Sequence, residues 1–279
     1  MTHPSLAEMI SRLHKLPAMP AVAMELLNSF ANDNTEVDAL ARRIAQDQAI
    51  AARVLRVANS PFYGLQTQVG SIRDAIVVLG FSSVRSLVLT ATVVSGLPAG
   101  RCPGFSQEDF WRHGLAVGVA ARSLARALGR KADNLFIAGL LHDIGRLAMV
   151  VVAPDDYARV IATAHEQDCP LQQAEISAFG YDHAAVGAAL AQRWNFPADI
   201  REALAFHHAP TDGTTGGPAA LIHYADAIAK ALDLDGAENT LLPHLDPATI
   251  DALDLDQHTL ARVLAETQEG FDHCSLLLG

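Results

Sequence analysis

The residues whose types and spacing most clearly suit chemistry lie in Gly139–Arg146, GLLHDIGR, where an apolar segment ends in a histidine and an aspartate. His142 and Asp143 are both metal-binding residue types, and the apolar residues before them predict a buried helix end. A buried carboxylate is costly unless it has a cation or a hydrogen-bond partner. The pair therefore indicates either a metal site or a purely structural contact between the two side chains. Gly145 either ends the helix or lets a neighbouring backbone approach closely.

A wider set of histidines and aspartates favours the metal site. The chain has 12 histidines in 279 residues, and a subset of them falls within, or at an end of, predicted helices of the second half. Imidazole and carboxylate suit Fe, Mn, Zn or Ni, and the helices of a bundle can direct such groups inward. The set is large enough for one or two divalent transition-metal ions, and two ions can activate water against a phosphoryl group. The predicted metal ligands are His113, His142, Asp143, His183, His207, His208 and Asp226.

Several members of this set, and two further residues near them in the sequence, have more than one interpretation. His113 lies between apolar residues and can be an ordinary core histidine. His207 and His208 end a predicted helix, where histidine is favoured in any case, so one of them can be structural. His223 can be a ligand or a residue that supports one. Arg146 can bind a phosphate or an acidic neighbour, and with Asp143 it is a candidate for catalysis.

The elements that must position these residues are predicted to be helices. Apolar residues make up 50% of the chain, aromatic residues only 6%, and long alternating β-branched runs are absent, which indicates an all-α fold. The Gly- and Pro-rich segment 96–104 predicts a boundary. We expect a smaller helical subdomain at residues 1–100 and a multi-helix bundle at 101–279, which ends in acidic helices. A single helix from about Ala132 to near Pro154 is expected to carry His142 and Asp143.

Charge and cysteine usage exclude some functions. The net charge is −11, and residues 101–279 carry 24 acidic against 12 basic residues, which argues against non-specific nucleic-acid binding and suits a cation site. Three widely spaced cysteines form no disulfide framework, which fits a reducing cytoplasm. Residues 1–20 lack the apolar run of a signal peptide. Polar and charged residues interrupt the most apolar stretch, Leu135–Ala153, so we expect no membrane span.

The N-terminal third contains four short sequence motifs that resemble those of the HDOD family, the HD-related output domain of bacterial signalling proteins. They are Leu16–Pro20 (LPAMP), Ile44–Asp47 (IAQD), Ala51–Ser60 (AARVLRVANS) and Ala75–Gly80 (AIVVLG). The resemblance extends over residues of about 14 to 210. One departure is Gln48, where the family usually has proline after the aspartate.

The second half resembles the HD superfamily of metal-dependent phosphohydrolases. HDOD proteins are often described as having lost the catalytic residues of that superfamily. The resemblance implies that His142 and Asp143 are the HD pair. The other ligand candidates match positions of that superfamily, and the pair His207–His208 is similar to the histidines of its HD-GYP branch, which cleaves cyclic dinucleotides. Two departures argue against cleavage of cyclic di-GMP. Arg146 replaces the lysine of HD-GYP proteins, and Asp212–Pro218 is only weakly similar to their GYP loop.

Three functions are compatible with the sequence. We expect an HDOD-type regulatory protein that retains an HD-type metal site and binds a signalling protein or a small phosphorylated ligand. The alternative is a metal-dependent phosphohydrolase that acts on a nucleotide or another phosphate ester. The third possibility is a metal-free helical scaffold. The near-neutral N-terminal third contains a cluster of basic residues, Arg42, Arg43, Arg53 and Arg56. The cluster predicts either a docking surface for an acidic partner, or arginines that only solvate helix faces or pair with nearby acidic residues.

Overall fold

The computed structural model describes residues 3–16, 21–28, 41–42, 44–59, 68–97, 101–234, 236, 241–245 and 247–275. Throughout these ranges the regular secondary structure is helical and contains no strand, which confirms the all-α prediction. Of the predicted docking surface, Arg43 lies outside the described residues.

The first part of the chain forms short helices whose starts follow from capping residues. Ser5 forms a capping box with Glu8, and Asp47 and Ser71 accept backbone hydrogen bonds at the starts of later helices. The helices are α1 (Leu6–Arg12), α2 (Ala21–Asn28), α3 (Gln48–Ala58), α4 (Ile72–Leu79) and α5 (Phe81–Gly96), and a 3₁₀ turn spans Leu13–Lys15.

The second part is the bundle that holds the predicted site. Its helices are α6 (Gln107–Ala127), α7 (Ala132–Leu141), α8 (Ile144–Val152), α9 (Pro154–Glu166), α10 (Leu171–Phe179), α11 (His183–Arg193), α12 (Ala198–Phe206), α13 (Pro218–Ala231), α14 (Pro247–Leu253) and α15 (Gln257–Cys274). A 3₁₀ turn spans Pro210–Asp212. Ser106 caps α6 and Asp182 caps α11, because each side chain accepts a backbone hydrogen bond in the first turn of its helix.

Helix α6 is the centre of the bundle. It packs against α7, α13 and α15, and most of its residues are buried. Glycines allow α6 and α7 to cross in direct backbone contact, since a Cβ atom on Gly139 would lie only 2.7 Å from the Cα atom of Gly118. This close crossing brings His113 of α6 beside His142 at the end of α7.

The helix predicted from Ala132 to near Pro154 is wrong, because the structure divides it in two. Helix α7 ends at Leu141 and α8 begins at Ile144, so His142 and Asp143 form the junction between them. The Asp143 side chain makes no capping hydrogen bond to α8 and is directed into the site instead. At the junction the backbone of His142 stays helical, whereas that of Asp143 departs from helical geometry, with φ −92° and ψ 9°.

Gly145 permits close backbone approach, one of the two possibilities that the sequence leaves open. A Cβ atom at this position would lie 1.9 Å from the carbonyl oxygen of His183. Helix α8 can therefore lie directly on the start of α11 only with glycine at residue 145. The contact sets the distance between Asp143, just before α8, and His183, the first residue of α11.

The N-terminal helices share the buried core of the bundle. Helix α1 packs against α8 and α11, the Tyr181 hydroxyl donates a hydrogen bond to the Pro4 carbonyl oxygen at 2.9 Å, and α5 packs against α2, α3, α4 and α7. Buried apolar side chains form one cluster that extends from Met9 to Cys274. The boundary near residue 100 stays a prediction from the sequence.

One helical stretch, Asn134–Val152, is apolar and long enough to cross a membrane by composition alone. However, 89% of its most apolar window is buried inside the protein. Burial of this kind is typical of a core element, which agrees with the prediction from the polar residues that interrupt it.

Candidate metal centre

The structure brings all seven predicted metal ligands together in two adjacent groups. In each group, one ligand atom from every residue lies within 4.8 Å of the others. We call them the first set and the second set. The first set is His113, His142 and Asp226, and the second set is Asp143, His183, His207 and His208. All of these residues are buried except His208, which is partly exposed.

Asp143 connects the two sets through a single oxygen atom. Its Oδ1 atom lies 3.0 Å from His183 Nε2 and 3.6 Å from His207 Nε2, both in the second set. The same Oδ1 atom lies 3.3 Å from His142 Nε2 in the first set. One carboxylate oxygen is therefore positioned between imidazoles of both sets.

The histidine rings are held so that their Nε2 atoms face the centre. His142 Nδ1 lies 2.7 Å from the carbonyl oxygen of Gly139, and His207 Nδ1 lies 3.1 Å from that of Leu204. A carbonyl can only accept, so each Nδ1 carries the proton in these contacts. The Nε2 lone pair is then left free for a metal ion, which is the arrangement found in metal-binding histidines.

His183 is oriented by a carboxylate that the sequence analysis missed. Glu175 is fully buried, and its Oε2 atom lies 2.6 Å from His183 Nδ1 and 2.9 Å from the His183 backbone nitrogen. Its Oε1 atom accepts a hydrogen bond from the Tyr157 hydroxyl at 2.5 Å. A sequence signal for this role exists, because Glu175 interrupts the otherwise apolar stripe of α10 at Leu171, Ala174 and Ala178.

Arg146 contacts an acidic neighbour, one of its two predicted partners. Its Nη1 atom donates to Asp143 Oδ2 at 2.8 Å, and its side chain is 26% exposed. Asp143 thus directs Oδ1 to the histidines and Oδ2 to the guanidinium. The catalytic roles of Asp143 and Arg146 stay predictions.

His223 and Lys230 support the site from α13. His223 Nδ1 lies 2.7 Å from the carbonyl oxygen of His207, and its Nε2 lies 3.0 Å from that of His244. Both ring nitrogens of His223 are therefore engaged by backbone, and the residue supports the ligand His207. Lys230 Nζ donates to Asp226 Oδ2 at 2.9 Å.

The two carboxylates are held in their ionised form. Burial raises the pKa of Asp143, but His142, His183 and Arg146 outweigh that effect and hold this pKa well below its usual range. Burial also opposes ionisation of Asp226, and Lys230 leads the interactions that hold its pKa well below the usual range. Both groups are therefore acceptors in the metal-free protein at neutral pH.

The histidines differ strongly in their affinity for a proton. Burial lowers the pKa of His142 to about 3, and burial together with the neighbouring imidazoles lowers the pKa of His208. Burial acts on His183 in the same direction, but Glu175 and Asp143 outweigh it and raise the pKa to about 10. His183 therefore holds a proton at neutral pH when no metal is bound, whereas His142 does not.

The residues present fit a transition-metal centre. They supply imidazole and carboxylate ligands without a thiolate, a combination that suits Fe, Mn, Zn or Ni. The Asp226 Oδ1 atom is buried among the ligand atoms of the first set and lies 3.2 Å from His113 Nε2. A buried carboxylate oxygen in this state is suited to a cation as its partner.

Comparison with known proteins identifies the family. Residues 16–210 match the HDOD domain over most of the chain. This chain belongs to the HDOD family. A candidate phosphohydrolase from Shewanella amazonensis SB2B has a similar crystal structure, with a TM-score of 0.77, 30% identity, and coverage of 97% of this chain and 98% of that one. An HDOD domain protein of unknown function from Geobacter sulfurreducens is similar at a TM-score of 0.74 and 26% identity, over 96% and 92% of the two chains.

A protein of Treponema pallidum (strain Nichols), described as uncharacterized, is 26% identical over 207 residues, which are 72% of this chain and 39% of that protein. The chain therefore spans about two fifths of the length of that relative. The HDOD match ends at residue 210, so Asp226, on α13, completes the first set from beyond the matched region.

Proposed function

We propose that this HDOD protein is a regulatory protein of bacterial signal transduction that carries one or two divalent transition-metal ions. The observation that supports it best is the convergence of seven ligand-type side chains from five parts of the bundle. Their supporting contacts are in place, and only His208 is partly exposed. A centre buried in this way is better suited to holding the helices together than to admitting a large substrate.

The first set would hold one ion and the second set the other, with Asp143 available to both. Such ions supply Lewis acidity and an activated water when bound. The chain itself contributes the orientation of the rings, the negative charge of Asp143 and Asp226, and the exclusion of bulk water. Because the ligands come from separate helices, ion binding would also stabilise their packing.

We further propose that the partner is a signalling protein or a small phosphorylated ligand, and that the protein acts in the cytoplasm. The cysteines Cys102, Cys169 and Cys274 are all free, which fits a reducing compartment. Within the predicted docking surface, Arg42 and Arg56 are exposed. A charge reversal, Arg42→Glu, should weaken capture of an acidic signalling partner in a salt-dependent manner. Arg73→Glu, an exposed arginine on α4, is the matched control.

The second candidate function is a metal-dependent phosphohydrolase for a nucleotide or another phosphate ester. The shared position of Asp143 Oδ1 favours it, since a carboxylate between two metal sites suits two-metal phosphoryl chemistry. The similar Shewanella protein, described as a candidate phosphohydrolase, also supports it. Cyclic di-GMP is expected to be a poor substrate because Arg146 replaces the lysine of HD-GYP proteins.

A hydrolysis panel distinguishes the two functions. Protein loaded with Mn²⁺ or Fe²⁺ is assayed against phosphomonoesters, phosphodiesters, nucleotides and cyclic di-GMP, with Asp143→Asn as control. The regulatory proposal predicts that the protein binds metal but turns over every substrate far more slowly than ordinary enzymes, whose rates are about 1 per second or faster. Metal-dependent turnover on the order of 1 per second, lost in Asp143→Asn, would instead establish the phosphohydrolase.

A further inference from the structure

The contacts behind the histidine ligands are not all of one kind. His142 and His207 direct Nδ1 to neutral backbone carbonyls, whereas His183 directs Nδ1 to the Glu175 carboxylate. A carboxylate behind a metal-bound imidazole makes the imidazole a stronger ligand and fixes its orientation. The second set thus contains a histidine with carboxylate support.

The support of Glu175 is itself firmly held. Its Oε2 atom contacts both the ring and the backbone nitrogen of His183, so the ring is fixed relative to the first turn of α11. Its Oε1 atom is occupied by the Tyr157 hydroxyl. Tyr157 and Glu175 are both fully buried, so neither contact competes with bulk water. This three-residue relay leads from α9 through α10 to α11.

The first set differs in the number of its ligands, since it contributes three where the second set contributes four. The ion pairs do not distinguish the sets, because Lys230 Nζ lies 2.9 Å from Asp226 Oδ2 and Arg146 Nη1 lies 2.8 Å from Asp143 Oδ2. The asymmetry therefore consists of the ligand number and of the carboxylate behind His183.

We infer that the two sites fill in order, the second set first, and that Glu175 is the positioning residue that determines this order. Tyr157 holds Glu175 in place. This inference rests on the proposed metal function. It adds that the two sets differ in their affinity for metal and that Glu175 causes the difference. One ion therefore occupies the second set at low metal supply, and the first set fills only when the supply rises.

The test uses Co²⁺, whose visible absorption reports the number and type of its ligands, with metal-stripped full-length protein. Wild type is expected to bind in two resolved steps. His207→Ala should remove the tight step, and His113→Ala should remove the weak step while the tight step stays unchanged. Glu175→Gln should alter the absorption spectrum of the tight step and weaken it about 10- to 100-fold, once both proteins are corrected for the proton that His183 releases on binding. Tyr157→Phe should weaken it about two- to tenfold.

Two controls separate positioning from simple loss of structure. Glu202→Gln removes another carboxylate that accepts two hydrogen bonds, here from Thr214, and it should leave both steps unchanged. The thermal midpoint of each metal-free variant identifies any that are unfolded. If Glu175→Gln fails to fold, Tyr157→Phe is used in its place. An unchanged tight step in Tyr157→Phe would then show that Tyr157 and Glu175 do not position His183.

The result that overturns the inference alone is two Co²⁺ ions bound with equal affinity, or a tight step that survives in Glu175→Gln but is lost in His113→Ala. Absence of any bound Co²⁺ in the wild type would overturn the proposed metal function, and this inference with it.

Discussion

The Nε2 atoms of His183 and His208 lie 2.8 Å apart in the second set. Two unprotonated imidazole nitrogens repel each other at this distance, so a proton or a cation must lie between them. In the metal-free protein the proton belongs to His183, because Glu175 and Asp143 overcome the effect of burial and raise its pKa to about 10. A metal ion must displace that proton to use both nitrogens.

Metal binding to the second set is therefore expected to release a proton and to tighten with pH. Below about pH 10, the pKa of His183, the apparent affinity should rise about tenfold per pH unit, since one proton is displaced per ion. The raised pKa also stabilises the metal-free fold below the ordinary histidine pKa, and this contribution is lost as the pH rises through about 10.

Competition titrations with Co²⁺ at several pH values, together with proton release measured in weak buffer, check this expectation. The Glu175→Gln variant should titrate at lower pH because the carboxylate that raises the pKa of His183 is gone. An affinity independent of pH between 7 and 9 would show that His183 is unprotonated in the metal-free protein.

The contact between α8 and α11 gives a second prediction. Gly145→Ala should destabilise the protein by about 1–3 kcal/mol or more, because the added Cβ atom would lie 1.9 Å from the His183 carbonyl oxygen. It should also weaken the second set, since Asp143 and His183 are forced apart. Gly187→Ala is the matched control: its Cβ atom would approach no closer than 3.5 Å, and a change within about 1 kcal/mol is expected. Urea unfolding of both variants provides the measurement, and equal effects would show that the crossing is not tightly packed.

The ion pair of Asp226 gives a third prediction. Lys230→Met should destabilise the metal-free protein by about 3 kcal/mol or less, because a buried carboxylate loses its cation while the lysine side chain is 19% exposed. Added Mn²⁺ should then stabilise the variant more than it stabilises wild type, since the ion replaces the lost charge. Thermal midpoints with and without Mn²⁺ measure the difference. Lys131→Met, an exposed lysine outside the site, is the control.

Residue type and spacing along the chain were sufficient to predict which side chains the fold brings together as candidate ligands. His113, His142, His183 and Asp226 could be predicted because each is a polar group at a helical position otherwise suited to the core, and the structure buries all four. Capping residues such as Ser106 and Asp182 fixed the helix starts because their hydrogen bonds are local.

The features that escaped prediction depend on contacts distant in sequence. The break between Leu141 and Ile144 lies where Asp143 comes within 3.0 Å of His183, forty residues away, and the nearby Gly145 alone does not distinguish a helix end from a close backbone approach. The role of Glu175 depends on the meeting of α9, α10 and α11, and a lone glutamate in a short helix normally indicates a solvated face. Division of the ligands into two sets likewise required the geometry of the whole bundle.

The most direct test of the central claim is elemental analysis of the wild-type protein purified without chelators, beside His142→Ala and Asp143→Asn. We expect about one to two equivalents of Fe, Mn, Zn or Ni in the wild type, because two ligand sets are present. We expect both variants to lose metal, and Asp143→Asn to lose more, since Asp143 Oδ1 contacts histidines of both sets. The opposite result is a wild-type protein that contains less than about a tenth of an equivalent of metal and binds none when Mn²⁺ or Co²⁺ is added; it would show that the two sets hold no metal.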